Sequence, residues 1–187
     1  GSMSNSTVYS GAGADLMSVG GDMVAGELYG GSGNDTVILS GSLGGVISLS
    51  AGADSLSATA STAATVLGGT DNDTFAFGGA VRDSSLLGGF GADSVTATGQ
   101  LRGSTIWGGT PVNAGSPIDG ADYVSVGSAS ASAVYGNSGA DSILIGGSAT
   151  ATSIYGGLDN DLVSITGDLS AGEIIGGSGA DSVIVTG

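Results

Sequence analysis

Apolar and polar residues alternate along this chain in short bursts that return at a fixed interval. Each return is marked by an Asp that closes a glycine-rich stretch: Asp15, Asp35, Asp54, Asp73, Asp93, Asp122, Asp141, Asp161 and Asp181. The intervals are 20, 19, 19, 20, 29, 19, 20 and 20 residues, so nine copies of a unit of about 20 residues fill the chain, with one insertion. Apolar residues stand two and four places after each anchor, as in Val37/Leu39, Phe75/Phe77, Ile143/Ile145 and Val183/Val185. That period of two predicts a strand with one buried face. A second column lies seven residues before the anchor: Val8, Leu28, Ile47, Val66, Leu86, Ile106, Val134, Ile154 and Ile174. All are β-branched or Leu, which predicts a second inward-facing strand. A weaker column follows eight residues after the anchor, with Met23, Leu43, Val81, Leu101 and Leu169, and with Thr62, Ser130 and Ala149 in the other units.

Two short strands per unit cannot bury their faces as isolated hairpins, whereas stacked coils can, each strand pairing in parallel with its counterpart one unit away. The predicted fold is all-β, a parallel β-solenoid flattened into a roll of about nine coils. No sustained 3.6-residue pattern supports helices, and Gly recurs too often for helix interiors. The length reads as a single repeat domain, 1–187, in which Gly1-Ser2-Met3 looks like a cloning scar. Residues 110–119, which hold both prolines, are expected to bulge from one coil.

Composition then narrows the chemistry. Against 17 Asp and Glu there are 2 Lys and Arg, Arg82 and Arg102, for a net charge of -15, so no basic face exists to meet a nucleic acid. At 40% hydrophobic residues the chain is too apolar for a disordered acidic tail, yet no apolar run approaches the roughly 18 residues that mark membrane insertion. There is no Cys, His or Lys, which removes thiolate metal sites and the commonest general base. Carboxylates, hydroxyls and carbonyls remain, an oxygen inventory suited to calcium or magnesium. Nothing singles out a carboxylate pair for catalysis, and the chain is not expected to be an enzyme.

The corner before each anchor carries the strongest motif. Gly30-Gly31-Ser32-Gly33-Asn34-Asp35, Gly88-Gly89-Phe90-Gly91-Ala92-Asp93 and Gly176-Gly177-Ser178-Gly179-Ala180-Asp181 match G-G-x-G-x-D, and two variants place Asp71 and Asp159 at the third Gly. The third unit keeps only Gly52 and Asp54. These phased copies resemble the RTX, or hemolysin-type calcium-binding, repeats of secreted bacterial proteins, whose parallel β-rolls bind calcium in their turns. That family carries a motif on both edges of each coil of about 18 residues; here it appears once per coil. The resemblance therefore implies calcium along one edge, with Asp15, Asp35, Asp54, Asp71, Asp73, Asp93, Asp119, Asp122, Asp141, Asp159, Asp161 and Asp181 as candidate metal residues.

Charge arithmetic points the same way, independently of family. Twelve of the 17 acids sit at this corner, and stacking at about 5 Å sets neighbouring carboxylates repelling by roughly 3 kcal/mol per pair at an effective dielectric near 20. The alternative is that each Asp caps its turn by accepting backbone N–H groups, and both roles coexist if each carboxylate oxygen takes one.

Six residues before the anchor runs an outward column with Tyr9, Tyr29, Trp107, Tyr135 and Tyr155, expected to pack along the coil edge, with a cell-surface glycan as the other candidate partner. The outward Ser/Thr positions after the anchor would suit ice, but Leu16, Ile38, Ala76, Tyr123, Leu144, Leu162 and Ile184 interrupt them. The expectation is a calcium-binding structural module of a secreted, extracellular or cell-surface protein of S-layer, adhesin or matrix type. The open solenoid ends point to end-to-end self-association.

Overall fold

The computed structural model describes residues 1–110 and 119–187; the insertion expected at 110–119 therefore lies almost wholly outside the described residues. The chain is an all-β parallel β-solenoid of about nine turns, and every strand pairing is parallel. Coil n is named here by its nth anchor Asp.

The first predicted column stacks without a slip: Met17, Val37, Leu56, Phe75, Val95, Val124, Ile143, Val163 and Val183 are partners from coil to coil. So does the second, from Val8 through Leu28, Ile47, Val66 and Leu86 to Ile174. Together they form one continuous core in which Val37, Ile47, Leu56, Val66, Leu86, Ile106 and Ile154 are fully buried. Only at the end coils do the columns open, with Val8 39% and Val183 48% exposed.

Beyond the two strands expected per coil, the third column forms short strands of its own, such as Val81–Arg82, Ala149–Thr150 and Leu169–Ser170. In coils two and three the segments run on as long bent strands, Thr36–Ala51 and Ser55–Thr70. Here the counting from the anchor needs correction: Ser61 and Ala129, not Thr62 and Ser130, face inward in register with Leu43 and Leu101. The intervals after Asp54 and Asp122 are 19 residues, and the missing residue falls in the turn before this column, where the pairing register shifts.

Opposite the acidic corner lies a second polar ladder that the apolar columns do not announce. Ser84, Ser104, Ser132 and Thr152 are buried, one to a coil. The N–H groups of Ala64, Ser84 and Ser104 donate to the hydroxyls of Ser84, Ser104 and Ser132 at 3.2, 3.1 and 3.3 Å. Each hydroxyl in turn donates to the carbonyl two residues back, Ser84 to Arg82, Ser104 to Arg102, Ser132 to Ser130 and Thr152 to Thr150, at 2.6–3.0 Å. A hydroxyl both accepts and donates, so burial leaves it satisfied.

Candidate metal centre

The nine anchors line one edge of the roll, and from Asp35 to Asp161 they are 1–3% exposed. Burying carboxylates in series demands partners, and the backbone supplies one per residue. The N–H groups of Asp15, Asp35, Asp54, Asp73, Asp93, Asp122, Asp141 and Asp161 each donate to Oδ1 of the next anchor, at 2.6–3.1 Å. This is the turn-capping role, carried out across coils rather than within one.

The other oxygen is left over. Oδ2 of Asp15, Asp35, Asp54, Asp73, Asp93, Asp122, Asp141 and Asp161 is buried without any hydrogen-bond partner. Its surroundings are shaped by the first Gly of the motif. A Cβ placed on Gly88 would collide with Asp93 Oδ2 and with the Gly108 carbonyl oxygen of the next coil. Gly68, Gly136 and Gly156 stand in the same relation to Asp73, Asp141 and Asp161 and to the carbonyls of Gly88, Gly156 and Gly176. Glycine at this place keeps open a cradle on which a carboxylate oxygen and a carbonyl oxygen converge from adjacent coils.

The electrostatics follow from that burial. Loss of hydration, partly offset by the N–H bonds to Oδ1 and reinforced by neighbouring carboxylates, pushes Asp73 and Asp141 up to about 8 and Asp122 to about 9. Burial likewise raises Asp93 and Asp161 to about 6, and it raises Asp54. The row is thus poor at holding negative charge by itself and suited to a cation that removes the penalty.

Three candidate residues differ from the anchors. Asp71 and Asp159 are exposed, at φ of 75° and 73°, and stay outside the buried ladder. They occupy the third Gly position of the motif, a left-handed site that Asp tolerates better than most side chains. Asp119 lies half-buried against Gly109, its Oδ1 without a partner, and burial raises it to about 6.

Among the described residues no group of three or more acidic side chains converges on one point. A cation here would take one carboxylate oxygen per cradle and complete its shell with backbone carbonyls and water, which suits calcium, an ion of 6–8 oxygen ligands that accepts carbonyls readily. The residues present fit the ion.

On the outer face, the expected aromatic packing takes the form of stacking from coil to coil. Tyr9 stacks on Tyr29 at 4.8 Å, Trp107 on Tyr135 at 6.0 Å and Tyr135 on Tyr155 at 4.9 Å. The Tyr29 and Tyr155 hydroxyls donate to Glu27 and Glu173. The stacked rings turn their faces toward one another along the column, which leaves their edges for a partner.

No protein-family model matches the chain, and no curated protein sequence matches it. Its fold is similar to the crystal structure of a hyperactive, Ca2+-dependent, β-helical antifreeze protein from an Antarctic bacterium, with a TM-score of 0.79 and 22% sequence identity over 97% of this chain. The chain spans 60% of that protein's length, and the likeness is one of fold.

Proposed function

We propose that this chain is a calcium-binding structural solenoid, a module of a secreted or cell-surface protein whose coils are ordered by ions along one edge. The observation that carries the reading is the series of buried, partnerless Oδ2 atoms, six of which, on Asp35, Asp73, Asp93, Asp122, Asp141 and Asp161, face a cradle that a glycine keeps open. The Ca2+-dependence named for the structural neighbour supports it. In this reading Asp35, Asp73, Asp93, Asp122, Asp141 and Asp161 hold the ions with Oδ2 while Oδ1 keeps the coils in register. Calcium supplies the positive charge that makes burial of these carboxylates favourable. Because each cradle takes oxygens from two coils, it exists only once the coils are stacked, which couples ion binding to folding. No catalytic step is assigned to the chain. Far-UV circular dichroism tests the proposal: a β-rich spectrum in millimolar calcium should move toward coil on chelation, and an unchanged spectrum and melting temperature after exhaustive chelation would refute it.

A second reading, an ice-binding surface, draws on the antifreeze activity named for the neighbour. The outward Ser/Thr positions are interrupted by Leu16, Ile38 and Tyr123, and the hydroxyls of Thr59, Thr98 and Thr166 donate to carbonyls of the preceding coil, which favours the structural role. Thermal hysteresis and ice-crystal shaping in calcium would move the balance to this reading.

A further inference from the structure

The cradles are not all alike. Gly30, Gly68, Gly88, Gly136, Gly156 and Gly176 stand five places before their anchors, and Gly108 holds the same register as Gly88, but coil one carries Ser10 there and coil three Leu49. Pairing on either side, Tyr29 with Ser48 and Leu67, and Gly31 with Ser50 and Gly69, fixes Leu49 in register between Gly30 and Gly68. Leu49 is fully buried and belongs to the apolar core, so its side chain points into the roll.

We propose that Leu49 closes the third cradle, so that the calcium row is interrupted at coil three while the solenoid continues through it. The proposal rests on the calcium reading above. The argument is one of occupied space. At Gly30 and Gly68 a Cβ would collide with Oδ2 of Asp35 and Asp73, the oxygen offered to the ion. In coil three the Cβ is present by covalent necessity and brings the rest of a leucine with it. A saturated carbon offers nothing to a hard cation and fills the space the ion and its water would need. The surrounding motif has changed in step, since Ser50 and Ala51 replace the second Gly and the spacer while Gly52 and Asp54 remain. Asp54 keeps the capping half of its role, accepting the Asp35 N–H at 2.6 Å and donating its own N–H to Asp73 Oδ1 at 2.9 Å. Register and ion binding are thereby separated: coil three retains the first and gives up the second. The effect reaches one coil back, for the carbonyl that faces the Gly30 cradle is Leu49's own and stands 2.9 Å from the Cβ point, farther off than its counterparts at Gly68, Gly88, Gly136 and Gly156. The row is therefore broken at coil three: coil two stands on one side, next to coil one, where Ser10 fills the glycine position and donates to the Gly30 carbonyl at 2.6 Å, and a long tract runs from coil four onward.

Anomalous scattering from crystals grown in calcium, or soaked with a lanthanide, tests this directly. The wild type should show peaks beside Asp73, Asp93, Asp141 and Asp161 and none beside Asp54; a peak beside Asp54 overturns the proposal. Counting bound calcium by native mass spectrometry gives a second measure, in which Leu49→Gly should hold one ion more than wild type and Gly88→Leu one fewer. Equal counts for wild type and Leu49→Gly, with Gly88→Leu reduced, overturn this proposal and leave the calcium reading standing. No ion in any of the three overturns both.

Discussion

The two buried polar ladders solve the same problem with different chemistry. Each must satisfy the backbone where a turn interrupts strand pairing, and each does so with one side-chain oxygen per coil accepting an N–H from its neighbour. The serine ladder closes on itself, because a hydroxyl also donates, here to the carbonyl two residues back. The aspartate ladder does not, because a carboxylate only accepts, and each Oδ2 is stranded. Where Ser suffices for structure, an Asp in the same place leaves one acceptor per coil open, and that open acceptor is what the proposed cation would use.

The comparison can be broken most forcefully at the anchors. Asp141→Ala should be the most damaging single change, since it removes an oxygen proposed to bind the ion and leaves the Asp122 N–H buried without an acceptor, a loss of about 1–3 kcal/mol for the hydrogen bond alone. Calcium titrations followed by circular dichroism should show a raised midpoint as well as a lowered melting temperature. Asp141→Asn sharpens the contrast: the amide keeps an acceptor but loses the charge, so the variant should melt lower than wild type in calcium and higher in chelator. If it melts lower in both, the cost of buried charge has been misjudged.

Acidity offers the next test, in chelator. Folded Asp93 and Asp161 sit at about 6 and Asp73, Asp122 and Asp141 at about 8 to 9, above the roughly 3.9 of an unfolded Asp, so the folded chain binds more protons. Stability from these groups is complete below about pH 4 and is lost as pH rises through 6 to 9. Metal-free protein should therefore melt higher at pH 5 than at pH 9, and calcium should flatten or reverse that slope by competing with the protons. A metal-free melting temperature that rises with pH would contradict the burial described above.

Smaller effects belong to the other ladder and to the exposed acids. Ser104→Ala strands the Ser84 N–H and should cost about 1–3 kcal/mol, by the same amount with and without calcium. Asp168→Ala, at an exposed site on the far edge, should change stability by no more than about 0.5 kcal/mol and leave the calcium midpoint in place. A calcium-dependent cost at Ser104, or a shifted midpoint at Asp168, would erase the distinction between the two edges.

Much of the fold is legible in the sequence because repetition multiplies weak signals: no single Val or Leu predicts a coil, but Val37 through Val183 in one phase do. Legibility fails where the phase slips. Thr62 and Ser130 were counted from the anchor, while the residue lost in the preceding turn moves Ser61 and Ala129 inward. Ser84, Ser104, Ser132 and Thr152 also recur nine places ahead of their anchors once the insertion is allowed for, yet hydroxyls read as turn or surface because burial of a polar group is announced by its partners, and those lie a coil away. The same holds at the acidic corner. The motif identifies the anchors, but the division of labour between Oδ1 and Oδ2 depends on how one coil is set above the next. The motif likewise groups Asp71 and Asp159 with the anchors, although a left-handed backbone at the third Gly position leaves both in solvent.

The aromatic stacks carry a consequence for observing this molecule. Tyr9 and Tyr29 lie on coils one and two, on one side of Leu49, while the single Trp of the chain, Trp107, begins a stack through Tyr135 and Tyr155 over coils six to eight. Emission excited selectively from the indole thus senses order in the long tract alone. The near-ultraviolet tyrosine signal collects both the Tyr9–Tyr29 and the Tyr135–Tyr155 stacks, so the part of it that does not follow the indole senses the other end. The chain carries its own two-colour reporter, and loading of one tract before the other would appear as two optical transitions separated along the calcium axis without any dye attached.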